Sequence, residues 1–328
     1  MKGCVCMSAL EIKGFSFGFG ARRGGFLKEE TRDSLRKLRA TGTEWISLCV
    51  TVHQEKYSST KIRFNFNEDL TDFEVVDLIQ YAHSLGMKVC LKPILNSKDT
   101  LWRAFIKFPD DGPYWDEWFH EYTGFLCHYA EIAQHTGCAM FCVGCEMVGT
   151  EHKEAYWRQT VAAVRQRYSG PLIYNANHGS EYISQWFDTI DYIGTSAYYP
   201  VGNSEGTTPE EEMVKNWEKV RDQLVPLYEK HHKPIVFMEI GCRSAQGCAS
   251  IPWDFLELER PYSEDEQAKF YSSCLQVFYQ VPWLAGFFWW DWSANLHTLE
   301  QARTDKGFGI YGKKAEQVLR KWYIGEGK

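Results

Sequence analysis

Two glutamates stand where runs of apolar residues end. Glu146 follows the run Met140–Cys145, and Glu239 follows the run Ile235–Met238. Both runs are apolar enough to be buried strands, and a carboxylate at the end of a buried strand is costly to desolvate unless it is used. Two carboxyl groups brought together can divide the roles of general acid and nucleophile. The sequence therefore indicates Glu146 and Glu239 as candidate catalytic residues.

Short β-rich runs alternate with longer helical runs along the whole chain. Eight strands are predicted, at Ile12–Gly18, Trp45–Val52, Lys88–Ile94, Met140–Gly144, Leu172–Asn175, Tyr192–Ala197, Ile235–Ile240 and Gly286–Trp290. A strand–helix–strand order repeated eight times implies parallel pairing, and it predicts an α/β fold with a single (β/α)8 TIM barrel as one domain over residues 1–328. A doubly wound open sheet is the alternative.

Polar and aromatic residues gather at the predicted strand ends, which favours the barrel. The active sites of such barrels lie at the carboxyl ends of the strands. Glu146 and Glu239 end the fourth and seventh strands, which lie on opposite sides of an eight-stranded barrel, so their side chains should face each other across its mouth. For a pair that cleaves glycosides with retention, the expected separation of the carboxyl groups is about 5–5.5 Å.

Three helix starts carry the sequence pattern of a capping box. They are Thr71-x-x-Glu74, Thr208-Pro209-x-Glu211 with proline at the first helical position, and Ser263-x-x-Glu266. After the first of them, one apolar stripe is predicted, and Gly86 is expected to end the helix; the stripe consists of Phe73, Val76, Ile79 and Ala82.

Composition narrows the class of protein. The 328 residues carry a net charge of −7, which offers no basic surface for nucleic acid, and no apolar segment is long enough to cross a membrane. Aromatic residues make up 16% of the chain, an excess that often lines sugar-binding clefts. We expect a monomer.

The cysteines and the N-terminus bear on the cellular location. Many of the 11 cysteines lie inside apolar runs, as reduced core thiols do. The first ten residues have too short an apolar stretch for a signal peptide. A cytoplasmic location is expected, or secretion if a leader has been removed.

Several short segments resemble glycoside hydrolase family 113, the β-mannanases, within the clan A (4/7) superfamily. The resemblance runs from the first strand to Gly312-Lys313-Lys314-Ala315, and its motifs are Lys13-Gly14-Phe15-Ser16-Phe17-Gly18, Leu91-Lys92-Pro93, Trp102-Arg103, Val143-Gly144-Cys145-Glu146, Tyr174-Asn175-Ala176-Asn177, Ala197-Tyr198-Tyr199-Pro200 and Glu239-Ile240-Gly241. Each motif is short, and their order and spacing supply the specificity.

This resemblance implies a retaining endo-β-1,4-mannanase that uses no metal or cofactor, with transglycosylation as a possible second activity. Glu146 would be the acid/base and Glu239 the nucleophile of a double displacement. Trp290 or Trp289 would be the platform under the sugar at subsite −1. The remaining roles would be a hydrogen bond to the nucleophile from Tyr198 or Tyr199, contacts with distal sugars from Trp102 and Arg103, and hydroxyl contacts from Lys92, Asn175 and Asn177.

Two features depart from the pattern. Cys145 stands where many clan members have an asparagine before the acid/base, although family 113 is similar to this chain in that respect. The loop after the third strand lacks the histidine expected after Lys92-Pro93, which leaves the preferred substrate length open. The alternatives are another clan A β-glycosidase, such as a β-glucanase or β-mannosidase, and a non-catalytic sugar-binding barrel.

Four other motifs point to three different functions and are disfavoured. Gly14-Phe15-Ser16-Phe17-Gly18 matches the nucleophile elbow of esterases, but it falls on the first strand, with no supporting strands before it. The glycines of residues 18–24 miss the dinucleotide-binding spacing by one position. Cys142-x-x-Cys145 and Cys4-x-Cys6 lack a second pair that would complete a zinc site, and residues three apart on a strand are expected on opposite faces.

Overall fold

Eight parallel strands pair in chain order and close into a barrel in the computed structural model, which describes residues 10–204, 206–256 and 259–325. The strands are Ile12–Phe17 (β1), Trp45–Gln54 (β2), Lys88–Ser97 (β3), Met140–Cys145 (β4), Leu172–Asn177 (β5), Tyr192–Ser196 (β6), Ile235–Ile240 (β7) and Leu284–Trp292 (β8). Strand β1 pairs with both β2 and β8, so the sheet has no open edge. This confirms the predicted TIM barrel and excludes the open sheet.

Helices surround the barrel. They are Glu29–Arg39 (α1), Asp72–Ser84 (α2), Tyr114–Thr136 (α3), Glu154–Arg165 (α4), Glu210–His231 (α5), Glu264–Phe278 (α6), Leu299–Ala302 (α7) and Lys314–Ile324 (α8). A two-residue strand, Ile62–Arg63, pairs antiparallel with the end of β2 in the loop that follows it. Within the described residues, no helix is both long and apolar enough to span a bilayer.

The connection between β5 and β6 differs from the predicted strand–helix alternation. It contains only a short 3-10 helix, Phe187–Thr189, where an α-helix was expected. Aromatic side chains occupy the space instead: Trp186 stacks on Trp157 of α4 with 4.6 Å between the ring centroids, and Phe187 is fully buried. Large rings can cover a barrel strand without a helical backbone to carry them.

The three predicted helix starts have different outcomes. Thr71 and Glu74 form the capping box, since each side chain bonds the other residue's backbone N–H. Ser263 caps α6, but the carboxylate of Glu266 accepts from the backbone of Thr208 rather than from Ser263.

The start at Thr208 has no capping box, and Pro209 is the N-cap residue rather than the first helical residue. The backbone N–H of Thr208 donates to the carboxylate of Glu266 in α6. Pro209 has no backbone N–H that a side chain could cap. This helix start is therefore tied to its neighbour and not to its own side chains.

The apolar stripe of α2 is rotated from the predicted one. Phe73 is 68% exposed and Val76 is only half-buried, whereas the residues that face the barrel are Val75, Leu78, Ile79 and Ala82. Glu74 of the capping box is itself buried, because its carboxylate accepts a hydrogen bond from the N–H of Gly24 at 2.6 Å. This contact with Gly24 determines which face of α2 packs against the barrel. Gly86, in the left-handed region with φ of 72°, follows the helix end as expected.

Side chains fill the interior of the barrel, so it is packed and not a pore. The lower interior layer consists of Ile12, Trp45, Cys90, Met140, Cys142, Ile173, Val236, Met238, Ala285 and Phe288. Alternate residues along a strand share a face, so Lys92, two residues beyond Cys90, and Asn175, two beyond Ile173, also point inward. The interior therefore becomes polar towards the carboxyl ends of the strands.

Candidate active site

Glu239 and Glu146 meet at this polar end of the barrel. Glu239 lies within β7 and is 4% exposed, and Glu146 follows the last residue of β4 and is 8% exposed. The pairing of β7 with both neighbouring strands shifts register near Glu239, so this side chain turns inward although Met238 beside it also lies inside. Glu146 has a positive φ of 52°, and its N–H donates to the carbonyl of Asn175 at 2.7 Å.

Four side chains donate hydrogen bonds to the carboxylate of Glu239. On Oε1, the Nζ of Lys92 lies at 2.5 Å, the Nδ2 of Asn175 at 3.2 Å and the Sγ of Cys145 at 3.4 Å. The hydroxyl of Tyr198 reaches Oε2 at 3.2 Å. An acceptor with this many donors is held in one orientation and in its ionised form.

The charge distribution favours ionised Glu239. Burial alone would raise its pKa, but the positive charges of Lys92 and Arg103 and the hydrogen bonds from Lys92 and Cys145 outweigh burial and lower the pKa of Glu239 below its ordinary value. Burial likewise opposes the charge on Lys92, yet the neighbouring Cys145 and the carboxylate of Glu239 raise the pKa of Lys92 above its usual range. Glu239 and Lys92 therefore form an ion pair at neutral pH.

Glu146 has a different environment. The Nε1–H of Trp102 donates to its Oε2 at 3.1 Å, and the Nη2 of Arg103 lies 3.8 Å from the same oxygen. Burial and the negative charge of Glu239 raise the pKa of Glu146, and the charge of Arg103 and the bonds from Ser196 and Trp102 offset this only in part. Glu146 therefore keeps its proton to a higher pH than Glu239.

Two neighbouring carboxyl groups with oppositely shifted pKa values can act as an acid and an anion at the same pH. Glu239 is suited to attack an electron-poor carbon, and Glu146 is suited to protonate the group that leaves. This division of roles follows from Lys92 lying on one carboxylate and not on the other.

The structure distinguishes the two tryptophans proposed as a sugar platform. Trp289 is fully buried, stacks on Tyr271 with 4.0 Å between ring centroids and donates to the hydroxyl of Tyr323, so the expectation that it could contact substrate is wrong. Trp290 is half-buried at the barrel mouth, next to Phe19.

Steric crowding explains why the third residue of the Glu239-Ile240-Gly241 motif is a glycine. A Cβ on Gly241 would lie 2.5 Å from the carbonyl oxygen of Trp290. The close approach of these two backbones sets the position of Trp290 relative to the strand that carries Glu239.

The two members of the tyrosine pair, and likewise of the asparagine pair, have different hydrogen-bond partners. Tyr198 bonds Glu239, whereas the hydroxyl of Tyr199 donates to Glu181 at 2.6 Å, so Tyr199 does not hold the nucleophile. Asn175 bonds Glu239, whereas the amide of Asn177 bonds the carbonyl of the adjacent His178 at 3.2 Å.

Three residues expected to touch sugars contact the carboxylates instead. Lys92 is fully buried on Glu239, and so it is not exposed to bind a sugar hydroxyl. Arg103 is 8% exposed and reaches Glu146 and Asn96, which removes it from distal sugars. Trp102 bonds Glu146 through its nitrogen, while 40% of the residue remains open to solvent.

Cys145 is a contact that sequence reasoning missed. The pairing of β4 with β5 shifts register between Cys142 and Cys145, so both thiols face the barrel interior. The expectation that they lie on opposite faces of the strand is wrong. Burial raises the pKa of Cys145 well above its ordinary value, which keeps the thiol protonated as a donor to Glu239.

In the described part of the chain, no group of three or more His, Cys, Asp or Glu side chains is placed to hold a metal ion. Cys4 and Cys6 lie outside the described residues.

A third buried carboxylate, that of Glu151, lies near Glu146 and was also missed. Glu151 is fully buried and accepts from the hydroxyl of Tyr174 at 2.6 Å, and that hydroxyl accepts from the N–H of Met147 at 3.0 Å. Burial raises the pKa of Glu151 to about 7, and the charge of nearby Glu181 adds to the shift. In the sequence Glu151 sits in a charged run that looks like an exposed turn.

The family of the chain follows from its sequence. The sequence model of Glycoside Hydrolase Family 113 matches residues 15–313, which include both glutamates. The chain belongs to glycoside hydrolase family 113. This confirms the resemblance inferred from the short motifs, and it makes the protein a glycoside hydrolase.

Solved structures of this family resemble the protein over nearly its whole length. The GH113 β-mannanase AaManA from Alicyclobacillus acidocaldarius, in complex with ManMIm, is 37% identical, with 97% of this chain and 99% of that chain covered and a TM-score of 0.88. A GH113 β-1,4-mannanase solved as a complex is 35% identical, with 95% and 98% covered and a TM-score of 0.88.

More distant structures share the fold. The β-glucuronidase of Ruminococcus gnavus is 15% identical and has a TM-score of 0.61, and the alignment covers 96% of this family 113 chain and 50% of the glucuronidase. No curated protein matches the chain.

Proposed function

We propose that the protein is a retaining endo-β-1,4-mannanase that hydrolyses mannan and manno-oligosaccharides by double displacement. The observation that carries the proposal is the pair Glu146 and Glu239, with oppositely shifted pKa values, in a member of family 113. The proposed catalytic domain is the whole chain, residues 1–328.

In the first step, Glu146 donates its proton to the glycosidic oxygen while Glu239 attacks the anomeric carbon and forms a glycosyl-enzyme. The leaving sugar departs with the proton. Esterification removes the negative charge of Glu239, and with it one cause of the raised pKa of Glu146. Glu146 then ionises more readily and acts as the base that activates water in the second step. Transfer to a second sugar in place of water would give transglycosylation.

The remaining contacts have roles in this scheme. Lys92, Asn175 and Tyr198 hold the nucleophile ionised and oriented. Trp290, half-exposed at the mouth beside Gly241, is the proposed platform under the sugar whose anomeric carbon is attacked.

The substrate assignment is supported by the β-1,4-mannanases of the same family at 35% and 37% identity. Mannohexaose and cellohexaose, each with a reduced end, test it: incubation should release shorter manno-oligosaccharides by internal cleavage and leave the cello-oligosaccharide intact. Proton NMR of the fresh products should show the β-anomer first. Cleavage of cellohexaose alone would make the protein a β-glucanase, and release of single sugars from the non-reducing end would make it a β-mannosidase.

A non-catalytic sugar-binding barrel is the alternative outside the enzymes. Mutual repulsion of two buried carboxylates raises the pKa of Glu146 and would serve no purpose in a site that only binds. Binding of mannohexaose without turnover by the intact protein would support that alternative.

We also propose that the protein acts as a monomer in the cytoplasm. The nine described cysteines are free and buried, which suits a reducing compartment. Cell fractionation and light scattering of the purified protein test the two statements separately.

A further inference from the structure

Strand β5 holds both peptide groups that flank the α-carbon of Glu146. The N–H of Glu146 donates to the backbone carbonyl of Asn175 at 2.7 Å, and the N–H of Met147 donates to the side-chain hydroxyl of Tyr174 at 3.0 Å. The orientations of these two peptide groups define φ and ψ of the residue between them. Two adjacent residues of β5 therefore set the backbone conformation of Glu146.

This conformation needs support from outside the residue. The φ of Glu146 is 52°, in the left-handed region that is unfavourable for any residue with a Cβ. Such a backbone persists only where the surrounding structure holds it. The bond to Asn175 fixes one of the two peptide groups and would leave the other free to rotate. The hydroxyl of Tyr174 supplies the second point of attachment.

The hydroxyl of Tyr174 is itself oriented by Glu151. It donates to the carboxylate of Glu151 at 2.6 Å. Burial and the negative charge of Glu151 raise the pKa of Tyr174 well above its ordinary value, so the hydroxyl keeps the proton that it donates. Because this proton is directed to Glu151, the oxygen lone pairs remain for the N–H of Met147.

The ring of Tyr174 has little freedom to move. It is fully buried and packs against Trp157 and Trp186, whose ring centroids lie 5.3 Å and 4.9 Å away. A Cβ on Gly144 of β4 would lie 2.8 Å from this ring, so the glycine leaves room for it. Glu151 is anchored as well, since its backbone carbonyl accepts from the Nε1–H of Trp186 at 3.3 Å. Tyr174 and Glu151 therefore form a rigid pair.

We propose that Tyr174, oriented by Glu151, is a positioning residue for the acid/base Glu146. The inference rests on the proposed role of Glu146 as proton donor. A proton is transferred efficiently only when its donor lies within hydrogen-bond reach of the glycosidic oxygen, and a small error in position is costly. A change in φ or ψ of Glu146 moves its carboxyl group. Loss of the tyrosine hydroxyl should therefore impair cleavage that needs the proton and spare cleavage that does not.

Two aryl β-mannobiosides test this, because they carry the same sugars and differ in how much the leaving group needs a proton. Dinitrophenolate is a weak base and leaves without an acid, whereas phenolate leaves readily only when it is protonated. For Tyr174→Phe we expect kcat/KM to fall about tenfold on phenyl β-mannobioside and to stay within about twofold on dinitrophenyl β-mannobioside. The ratio of the two values is the readout.

Two substitutions at Glu151 test its part in the pair. Glu151→Gln keeps a carbonyl oxygen that accepts from the hydroxyl of Tyr174, and it should retain the wild-type ratio. Glu151→Met removes the acceptor and should change the ratio in the same direction as Tyr174→Phe. A residue that served only the stability of the barrel would not change this ratio in either variant.

Tyr168→Phe is the matched control. Tyr168 is also buried, and its hydroxyl donates to the backbone carbonyl of Cys138 at 2.7 Å, just before β4 begins and at the opposite end of that strand from Glu146. This variant loses one buried hydrogen bond of a tyrosine hydroxyl, as Tyr174→Phe does. It should lower the melting temperature and leave the ratio of the two kcat/KM values unchanged.

Glu146→Ala is the reference for a missing proton donor and should favour the dinitrophenyl glycoside more strongly than Tyr174→Phe does. If Glu146→Ala shows this preference while Tyr174→Phe is unchanged or loses equally on both substrates, the positioning role is refuted and the catalytic assignment stands. If Glu146→Ala shows no preference, both proposals fail. If wild type cleaves aryl cellobiosides alone, only the substrate assignment fails, and the same two leaving groups on cellobiose decide the role of Tyr174.

Discussion

Lys92 Nζ lies 2.5 Å from Oε1 of Glu239, and both side chains are almost completely removed from solvent. The carboxylate is thereby ionised inside a barrel that would otherwise favour its neutral form. Because the proposed nucleophilic attack needs the anion, we expect this ion pair to set the acid limb of the pH–activity profile.

We expect Lys92→Met to raise the pKa of Glu239 and to move the acid limb of kcat/KM to higher pH. The sign follows from the lowered pKa in the intact protein: activity now persists to lower pH, and losing the cation reverses that. Activity at the optimum should fall on the order of a hundredfold. Asn175→Ala removes a neutral donor from the same oxygen and is the matched control. An equal pH shift in both variants would contradict the role of the charge.

Azide should distinguish the two glutamates. Glu239→Ala should lose turnover, and azide should restore part of it with an inverted glycosyl azide as product, since the small anion occupies the place of the carboxylate. Glu146→Ala should still form the glycosyl-enzyme from substrates with good leaving groups and should give a glycosyl azide of retained configuration. Product NMR reads the anomer. Wild-type activity on mannan in either variant would show that the roles are wrongly assigned.

Trp102→Phe should move the basic limb of the pH profile upward. The indole N–H stabilises the anionic form of Glu146, so its loss raises the pKa of that acid further and keeps it protonated to higher pH. The expected shift is up to about one pH unit, the size of one hydrogen bond to a charged group. The substitution keeps an aromatic ring at this position, so the apolar surface that the ring exposes is retained. A basic limb that stays in place or moves down would refute this account.

Glu151 should make stability depend on pH. Its pKa is about 7 in the folded protein against an ordinary value of 4.5, so the native state binds the extra proton between these values and stability falls as pH rises through this window. Urea unfolding at pH 5 and pH 8 measures this dependence. Glu151→Gln should reduce the difference in the free energy of unfolding between the two pH values by on the order of 3 kcal/mol. Equal pH dependence in the variant and wild type would exclude Glu151 as the source.

The barrel and its two glutamates were predictable because they depend on order along the chain. Alternating apolar runs specify eight parallel strands, and counting them places Glu146 and Glu239 at the ends of β4 and β7. Nothing beyond this count is needed to bring the two side chains to one rim.

The contacts around them were not predictable because they depend on irregular backbone. A register shift turns Cys145 inward. A register shift between β7 and β8 likewise prevents simple strand alternation from telling which of Trp289 and Trp290 faces the site. The salt bridge of Lys92 to Glu239 joins residues 147 positions apart, and side-chain pattern carries no information about such a pair. Sequence therefore located the reacting groups and left open what tunes them.

The backbone conformation of Glu146 is strained, and this strain lowers the stability of the folded barrel. A φ of 52° strains any residue with a Cβ, whereas glycine adopts it freely, and the buried carboxylate adds to the strain. Glu146→Gly should thus be inactive yet melt about 2 °C higher than wild type, while Glu146→Gln, which keeps the strained backbone, should gain less. Thermal stability and the proposed catalytic role therefore make opposite demands on this one position, and a screen that selects for stability alone would replace the proposed acid/base.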